Sequence, residues 1–346
     1  MESQAKLNFA SDYLEGAHPA IIDALVRTNL EQTSGYGTDV HCEAAREAIR
    51  AACACPKAEV HFLVGGTQAN AVLISTLLAP YEGVVAADTG HVASHEAGAI
   101  EAGGHKVLCL PQHNGKIDAT QVDAYAQKFW DDDNHDHMVA PGMVYLSQPT
   151  EYGTLYTLAE LESMRAACDR HGMRLYVDGA RLAYGLASSK NDVTLPDLAR
   201  LCDACYIGGT KCGALIGEAM VFPKPGTVPH FFTLVKQHGA LLAKGRVLGI
   251  QFEQLFTNDL YTEVGRHALA QAERITSALN ERGYRLHIQT PTNQIFPVLS
   301  PEQYERLQSV VEMSFWERLE NGDTVVRIAT SWATRPEDVD ALIALL

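Results

Sequence analysis

The stretch RLYVDGARLAYG, residues 174–185, places an acidic residue directly after a short apolar run. The run predicts a buried β-strand, and Asp178 stands where that strand would end. Open α/β sheets bind their ligands at the carboxyl ends of the strands. Taken alone, Asp178 and Arg181 are better explained by an ordinary ion pair than by a ligand site. The rest of the sequence has to decide between these two interpretations.

Short apolar runs alternate with alanine-rich amphipathic segments on both sides of this stretch, from about residue 59 to residue 222. Such alternation is typical of a parallel sheet covered by helices. We expect seven strands, at 59–65, 83–88, 105–110, 142–148, 174–180, 204–209 and 218–222. The clearest helices are 119–130 and 158–170, and the second has a capping box of Thr157 and Glu160 and a stop at Gly172.

The pattern changes after Pro223, where long helical stretches begin, notably 261–282. Short strands follow, then a helix opened by Ser300 and Pro301, a strand at 324–330 and a final helix from Pro336. This pattern predicts a smaller α/β domain. We therefore expect a large domain at 1–245, including the N-terminal segment, and a small C-terminal domain at 246–346.

Composition narrows the classes of protein. The chain has 346 residues, of which 47% are hydrophobic, as in an ordinary globular protein. Its net charge of -15 repels phosphate polymers and argues against a nucleic acid or an anionic membrane as partner. No secretory signal or apolar run of roughly 18 residues is evident. With eight cysteines and no disulfide-rich spacing, a cytoplasmic protein with reduced thiols is expected.

Two further stretches contain reactive groups. In ACYIGGTKCG, residues 204–213, Lys211 follows an apolar run among small residues, where a long cation has no evident partner. A carbonyl group that condenses with its amine would be such a partner. In VGGTQAN, residues 64–70, Gly66 and Thr67 stand between a strand and a helix. Backbone N–H groups bind phosphate at such a turn, although an ordinary tight turn explains the glycines equally well.

Together these groups match the needs of pyridoxal phosphate. Lys211 offers an amine for a Schiff base, Asp178 a partner for the pyridinium nitrogen, and the turn at Gly66 and Thr67 a cup for the phosphate. This combination favours a cofactor over an ordinary ion pair as the partner of Asp178. The spacing of the glycines fits neither a P-loop nor a dinucleotide-binding fingerprint.

The same motifs give the chain a family resemblance. It resembles the threonine aldolases and related β-eliminating lyases, which are fold-type-I pyridoxal-phosphate enzymes, over nearly its whole length. The matching stretches are FASD (9–12), YGTD (36–39), GGTQAN (65–70), GHVASHEAGA (90–99), VDGAR (177–181), GGTK (208–211) and VVRIAT (325–330). The resemblance implies an aspartate-aminotransferase-type large domain with a mainly parallel seven-stranded sheet.

The resemblance also implies roles for the site residues. Lys211 would bind the cofactor covalently and transfer protons, Asp178 would pair with the ring nitrogen, and His91 would stack on the ring near the reacting bond. For His91, a helix-capping histidine is the alternative. The phosphate would be bound by Gly66, Thr67 and Thr210, and the substrate carboxylate by Ser11, Arg181 and Arg327, with Arg181 also close to the cofactor.

Four more residues are assigned by the resemblance to the edge of the site. Tyr36 and Asp39 would lie in a loop that helps to build the site near a subunit boundary, Tyr36 in a catalytic role. Lys236 and Arg246 would supply positive charge to a cofactor phosphate, either in the same subunit or across that boundary. By the same analogy the chain is expected to form a homodimer or homotetramer.

One position departs from the family pattern. Many family members carry a histidine after the strand that here reads SQPTEYG, residues 147–153, where this chain has Glu151. A carboxylate at this place can accept the substrate hydroxyl proton if its pKa suits that task, and a bound water is the alternative. Glu151 is therefore a candidate base.

The expected reaction is cleavage of L-threonine or L-allo-threonine to glycine and acetaldehyde, by a small-molecule lyase without a metal. Two alternatives remain at this point. The same scaffold could catalyse β-elimination or transamination of another small amino acid. The pairs Cys202/Cys205 and Cys53/Cys55 could instead mark a zinc-binding or redox module, although buried small thiols explain both.

Overall fold

The computed structural model describes residues 6–346, so residues 1–5 of the predicted large domain lie outside the described part. Its first strands are β1 (Leu7–Asn8), β2 (Glu59–Leu63), β3 (Glu82–Ala87), β4 (Val107–Leu110), β5 (Ala140–Ser147), β6 (Arg174–Gly179), β7 (Ala204–Gly208) and β8 (Glu218–Phe222). The helices among them are α1 (Pro19–Arg27), α2 (Val40–Ala52), α3 (Gly66–Leu77), α4 (His91–Ser94), α5 (Ala99–Ala102), α6 (Ala119–Trp130), α7 (Leu158–His171), α8 (Leu182–Ala187) and α9 (Leu195–Leu201).

The C-terminal part adds five helices and six strands. The helices are α10 (Phe231–Gln237), α11 (Arg246–Leu255), α12 (Leu260–Glu281), α13 (Pro301–Gln308) and α14 (Pro336–Leu345). The strands are β9 (Arg285–Leu286), β10 (Gln294–Ile295), β11 (Pro297–Leu299), β12 (Val311–Glu312), β13 (Ser314–Arg318) and β14 (Thr324–Ala329).

A seven-stranded sheet forms the centre, in the order β2-β8-β7-β6-β5-β3-β4. The pairs from β7 to β4 are parallel, and β8 runs antiparallel to both β7 and β2. This confirms the predicted mainly parallel sheet, and all seven predicted strands are present to within two residues at each end. The carboxyl ends of β5, β6 and β7 therefore lie side by side at one edge.

Burial on both faces explains why these strands read as continuous apolar runs. On one face Val144 of β5 and Val177 of β6 join one hydrophobic cluster, and on the other Tyr145 and Tyr176 join a second. Helices cover both faces, so that no strand position in the middle of the sheet needs a polar side chain. A polar residue at a strand end is consequently conspicuous.

The predicted helix signals are confirmed by the geometry of α7. The Thr157 hydroxyl accepts a hydrogen bond from the backbone N–H of Glu160, and the Glu160 carboxylate accepts one from the backbone N–H of Thr157, which completes the capping box. Gly172 ends the helix with φ 67° in the left-handed region, where glycine carries no steric penalty. These local signals fix where the crossover between β5 and β6 begins and ends.

A second, antiparallel sheet contains β10, β14, β11 and β9, and β13 pairs with β14. Residues of this part form their own hydrophobic cluster, which includes Ile275, Val326 and Leu342. However, Phe252 of α11 and Tyr261 of α12 pack into the core of the central sheet. The division into 1–245 and 246–346 stays a prediction.

The N-terminal segment connects the two sheets. Strand β1 pairs in parallel with β12, and the backbone N–H of Phe9 donates to the carbonyl of Glu312. The next residues, Ser11 and Asp12, are buried and lead towards the central sheet. This short segment thus carries polar side chains from the second sheet to the strand ends of the first.

Candidate active site

The carboxyl ends of the central strands open onto a cavity of about 250 Å³. Ser147 at the end of β5, Asp178 in β6 and Lys211 after β7 all line it. The predicted site residues that line this cavity are Gly66, Thr67, His91, Glu151, Asp178, Arg181, Thr210 and Lys211. The structure therefore brings together most of the side chains that the sequence suggested, at the edge where α/β sheets bind ligands.

Lys211 lies on the loop between β7 and β8 with its amine in the interior. Burial, reinforced by the Arg181 guanidinium, lowers the pKa of Lys211 below its ordinary value. Within residues 6–346 no carboxylate lies within ion-pairing distance of Nζ, and the Tyr184 hydroxyl bonds to the backbone carbonyl of Lys211. An amine with a lowered pKa and a fixed backbone is suited to attack a carbonyl carbon.

Asp178 is 3% exposed and receives three hydrogen bonds. The Tyr145 hydroxyl donates to Oδ2 at 2.6 Å, the Asn70 amide donates to Oδ2 at 3.1 Å, and the backbone N–H of Ala180 donates to Oδ1 at 2.9 Å. Burial and the Asp178 charge raise the pKa of Tyr145 well above its ordinary value, so its hydroxyl stays a donor. The donors fix the orientation of the carboxylate in the cavity wall.

The phosphate cup predicted from the glycines lies at the start of α3. Gly65 precedes the helix and Gly66 is its first residue, so the first backbone N–H groups of a 12-residue helix point into the cavity region. A Cβ on Gly66 would lie 3.0 Å from the Tyr206 hydroxyl, so a side chain would crowd the cup. Across the cavity, Thr210 Oγ1 accepts from the backbone N–H of Gly217 at 3.0 Å.

These features together fit pyridoxal phosphate. The cavity holds a buried amine for its aldehyde, a carboxylate for its ring nitrogen and a glycine-lined helix start for its phosphate. Lys211, Asp178 and Gly66 would hold these three parts of the cofactor. The sequence predicted these roles for Lys211, Asp178 and Gly66, and their positions in the cavity wall are compatible with all three roles.

His91 begins α4 and its ring lines the same cavity. Its Nδ1 lies 2.7 Å from Oε1 of Glu96, whose side chain is fully buried. The ring also stacks on His95 with 5.8 Å between the ring centroids and 22° between the planes. Two contacts thus fix both the position and the plane of the His91 imidazole.

Glu151 is anchored through one of its oxygens. Oε1 accepts from the backbone N–H of His91 at 2.9 Å and from the Ser147 hydroxyl at 2.6 Å. Burial raises the pKa of Glu151 above its ordinary value, and the Ser147 hydrogen bond opposes that rise. Ser147 Oγ also lies 3.1 Å from the Tyr145 hydroxyl, but the single hydrogen of Ser147 is used at Glu151 and that of Tyr145 at Asp178. A carboxyl group that lines the cavity and has a raised pKa is a candidate for proton exchange with a bound substrate.

Arg181 has a partner that the sequence analysis did not identify. Its Nε and Nη2 bond to Oδ2 and Oδ1 of the buried Asp12 at 2.6 and 3.0 Å. Burial alone would raise the pKa of Asp12, but Arg181 and Lys211 lower it to about 2. Two of the three guanidinium nitrogens are therefore engaged inside the chain, and the binding of a substrate carboxylate by Arg181 stays a prediction.

Arg327 and Ser11 leave polar atoms unpaired beside this ion pair. Arg327 donates to the Ala10 carbonyl at 3.1 Å and to Gln294 Oε1 at 3.3 Å. In the described part of the chain, Arg327 Nε and Ser11 Oγ are buried without a hydrogen-bond partner. Burial, with Arg181 nearby, lowers the pKa of Arg327. A buried guanidinium without an acidic partner is suited to bind an anion.

The four residues predicted at the edge of the site lie elsewhere in this chain. Lys236 Nζ lies 4.7 Å from the ring centroid of Tyr36, which lines a separate cavity of about 40 Å³. Asp39 caps α2 by accepting from the backbone N–H of Cys42 at 2.9 Å. The Arg246 guanidinium donates to backbone carbonyls, which belong to Thr28, Asn29 and Glu31.

These hydrogen bonds engage Nη1 and Nη2 of Arg246 with backbone carbonyls, and the binding of a phosphate by Arg246 stays a prediction. The structure does not bring Tyr36 and Lys236 to the Lys211 cavity of the same chain, so their assigned roles stay predictions. A role in the site would require them to reach the cavity of a second copy.

Several polar residues of the site were missed by the sequence analysis. Asn70 and Glu96 lie inside the quoted motifs GGTQAN and HEAGA, and their place in those motifs was the available signal. Tyr145 lies within an apolar strand and gave none. Glu218 begins β8, accepts from the backbone N–H of Gly209 at 3.1 Å, and has its pKa raised to about 8 by burial.

The cysteine motifs have no metal-site geometry. Cys202 and Cys205 are buried free thiols, and burial raises the pKa of each. Across residues 6–346, no three His, Cys, Asp or Glu side chains are grouped as metal ligands would be. None of the helices described here has both the length and the apolarity that a membrane crossing requires.

Comparison with known proteins gives consistent matches. The family model described as beta-eliminating lyase matches residues 8–300. A low specificity L-threonine aldolase from a Pseudomonas species is 29% identical over 340 residues, which cover 97% of this chain and 96% of that protein. The solved structure of a Leishmania major threonine aldolase has a TM-score of 0.95 and 41% identity over 98% of each chain. A Thermus thermophilus aspartate aminotransferase shares the fold, with a TM-score of 0.72, 15% identity, and coverage of 98% of this chain and 90% of that one.

Proposed function

This chain belongs to the beta-eliminating lyase family, and from that membership we propose that it uses pyridoxal phosphate to cleave L-threonine and L-allo-threonine to glycine and acetaldehyde. The observation that carries the proposal is the meeting of Lys211 and Asp178 in one cavity, at the ends of the neighbouring strands β7 and β6. The names of the Pseudomonas and Leishmania relatives support threonine as the substrate.

The cofactor would be held at three points. Lys211 would bind its aldehyde carbon covalently, Asp178 would pair with its ring nitrogen, and Gly66, Thr67 and Thr210 would hold its phosphate. When bound, pyridoxal phosphate would supply a ring that accepts the electron pair left on the amino-acid Cα. His91 would contact the ring.

The protein's own groups position the amino acid and move its protons. Arg327 and Ser11 bind the substrate carboxylate, because both have buried polar atoms without partners. Glu151 takes the proton from the β-hydroxyl, and the Cα–Cβ bond then breaks to release acetaldehyde. A proton is then returned to Cα to give glycine, and Lys211 is available to supply it. Orientation of the breaking bond depends on the carboxylate contact.

The test is the loss of both cofactor attachment and cleavage in Lys211→Ala. Borohydride reduction of the wild-type protein should fix one cofactor per chain, detected as a mass increase, and the variant should show none. Acetaldehyde release from threonine should fall by orders of magnitude, because within residues 6–346 Lys211 is the only lysine that lines the cavity. The exposed Lys106→Ala is the matched control and should behave as wild type. Cleavage at the wild-type rate by Lys211→Ala would contradict the proposal.

The same assay separates the alternative reactions. A β-eliminating enzyme releases pyruvate and ammonia from serine, whereas an aminotransferase needs an added 2-oxo acid. Release of acetaldehyde and glycine in equal amounts from threonine, without pyruvate from serine, is the expected result.

We also propose that the chain acts in the cytoplasm as a homodimer or homotetramer, with its residues divided between domains at 245/246. The pairing of Lys236 with Tyr36 outside the Lys211 cavity supports a shared site, since a second copy could bring both to it. Sedimentation of the holoenzyme measures the assembly state, and limited proteolysis near residue 245 tests the division.

A further inference from the structure

Behind His91 lies a buried carboxylate that the proposed mechanism does not use. Glu96 follows α4, and its side chain is fully buried. Oε1 lies 2.7 Å from His91 Nδ1 and accepts from the Asn70 amide at 2.6 Å. In the described part of the chain, Oε2 has no hydrogen-bond partner. Burying such a group is costly unless its contacts are used, so its presence behind the ring calls for a functional explanation.

Asn70 joins this carboxylate to the one that faces the cofactor. Its Nδ2 donates to Glu96 Oε1 at 2.6 Å and to Asp178 Oδ2 at 3.1 Å, which uses both amide hydrogens. Its Oδ1 accepts from the Tyr176 hydroxyl at 2.6 Å. Since the nitrogen faces two carboxylates and the oxygen faces a phenol, only one orientation of the amide satisfies all three contacts. Asn70 is thus a rigid bridge between Glu96 and Asp178.

The chemistry of Glu96 determines which His91 nitrogen carries the hydrogen. A carboxylate accepts hydrogen bonds and cannot donate them, so the nitrogen beside it must be the donor. A neutral imidazole has one donor and one acceptor nitrogen, and the hydrogen bond at one determines the state of the other. With Nδ1 as donor, Nε2 keeps its lone pair.

We propose that Glu96 and Asn70 are positioning residues that hold His91 with its hydrogen on Nδ1 and its Nε2 lone pair free to accept a proton. This rests on the proposed function for its catalytic meaning, since Nε2 then serves as a proton acceptor on the wall that also carries Glu151. The backbone N–H of His91 binds Glu151 Oε1, so one residue orients both acceptors. The stacking of His95 keeps the imidazole plane from turning.

The direct test is nitrogen NMR of the cofactor-loaded protein labelled with ¹⁵N-histidine, without substrate. The His91 signals are identified by their loss in His91→Asn. Neutral His91 should carry its hydrogen on Nδ1 in the wild-type protein. A hydrogen on Nε2 would overturn the proposal whether or not the protein cleaves threonine, so this result stands apart from the test of the proposed function.

Two substitutions of Glu96 separate the acceptor from the charge. In Glu96→Ala the Nδ1 acceptor is removed, and the preference for Nδ1–H should disappear. In Glu96→Gln the preference should persist, because Asn70 donates to the amide oxygen and turns it towards His91. Adding Asn70→Ala to Glu96→Gln frees that amide to rotate, and the preference should weaken. The exposed Glu101→Gln is the control and should match wild type.

Kinetics provide a second readout. Glu96→Ala should lower kcat for threonine about tenfold or more, with a smaller change in KM, because a misoriented His91 ring disturbs proton transfer beside Glu151 in the chemical step. Glu96→Gln should recover most of the loss. If Glu96→Ala does not fold, the wild-type and Glu96→Gln spectra still decide the question. An unchanged His91 spectrum in a folded Glu96→Ala variant would contradict the proposal.

Discussion

Arg181 and Asp12 form a two-pronged ion pair inside the protein, with Nε 2.6 Å from Oδ2 and Nη2 3.0 Å from Oδ1. Asn293 donates a third hydrogen bond to Oδ2 at 2.9 Å. Because the pair connects the N-terminal segment to Arg181, two residues after the end of β6, it fixes the position of Arg181 at the cavity wall.

Replacing Asp12 by Asn should destabilise the fold. The substitution keeps the shape of the side chain but leaves the buried Arg181 charge unpaired, which costs about 3–5 kcal/mol in comparable cases. Urea unfolding of the holoenzyme measures the loss. Asp133→Asn, at an exposed position, removes the same charge and should be neutral. Equal stability of the two variants would show that the ion pair contributes nothing.

The same contact predicts a dependence on acid. The pKa of Asp12 is lowered from 3.8 to about 2 in the folded protein, so the pair stabilises the fold above pH 4 and loses that effect as the pH falls through 2. Wild-type stability should therefore fall more steeply than that of Asp12→Asn over this range. Urea midpoints measured at steps between pH 4 and pH 2 provide the comparison, and parallel slopes would exclude the effect.

Replacing Ser147 by Ala should shift the acid side of the pH–rate profile. The Ser147 hydroxyl stabilises ionised Glu151, so its loss raises the already raised pKa of Glu151 further. In the proposed mechanism ionised Glu151 is the proton acceptor, and activity should therefore fall off at a higher pH. The other charged or titratable groups that act on Glu151 are Asp178, His91, Arg181 and Tyr145, and the substitution leaves them in place.

The measurement is kcat for threonine against pH in wild type, Ser147→Ala and Ser163→Ala. Ser163 is an exposed serine of α7 that bonds only within its helix, so its variant should keep the wild-type profile. An acid limb that stays at the same pH in Ser147→Ala would exclude Glu151 as the base.

Replacing Arg327 by Lys should weaken substrate binding. Lysine keeps the positive charge but lacks the planar fork that binds a carboxylate at two points. The loss of one charge-assisted hydrogen bond corresponds to about a tenfold rise in KM for threonine. Arg318→Lys, at an exposed position of β13, should leave KM unchanged. Unchanged KM in Arg327→Lys would assign the carboxylate to another residue.

Replacing Gly249 by Ala should disturb the crossing of α11 and α2. A Cβ at Gly249 would lie 2.6 Å from the backbone nitrogen of Cys42 and 2.5 Å from its sulfur, closer than real contacts allow. Overpacking of this kind costs about 1–3 kcal/mol. Gly16→Ala, whose Cβ would meet no atom within 4 Å, is the matched control for unfolding by urea. If both variants unfold at the same urea concentration, α11 and α2 can move apart to accept the added Cβ without a loss in the free energy of unfolding.

The sequence predicted the central sheet well because its strands are buried on both faces and are separated by strong helix signals. The roles of Lys211 and Asp178 were visible for the same reason, since a charged residue at the end of an apolar strand is unusual. The Asp12–Arg181 pair was not visible, because it depends on how the N-terminal segment crosses from one sheet to the other.

Other parts of the site depend on side-chain geometry that spacing does not encode. Asn70 and Glu96 occupy ordinary polar positions in or near helices, and only the folded structure makes them neighbours of Asp178 and His91. Arg246 is the opposite example. The sequence suggested a ligand for its charge, but in the structure its guanidinium donates hydrogen bonds to backbone carbonyls.

The pairing of β1 with β12 has a consequence for the order of folding. The Ser314 hydroxyl donates to the carbonyl of Ala10 at 2.6 Å across a sequence separation of 304 residues. During synthesis the central sheet can assemble while the ribosome is still making the second one, but Ser11 and Asp12 have no strand to hold them until β12 and β13 emerge. The Asp12–Arg181 pair that holds Arg181 at the cavity wall is therefore completed last, when translation is nearly finished.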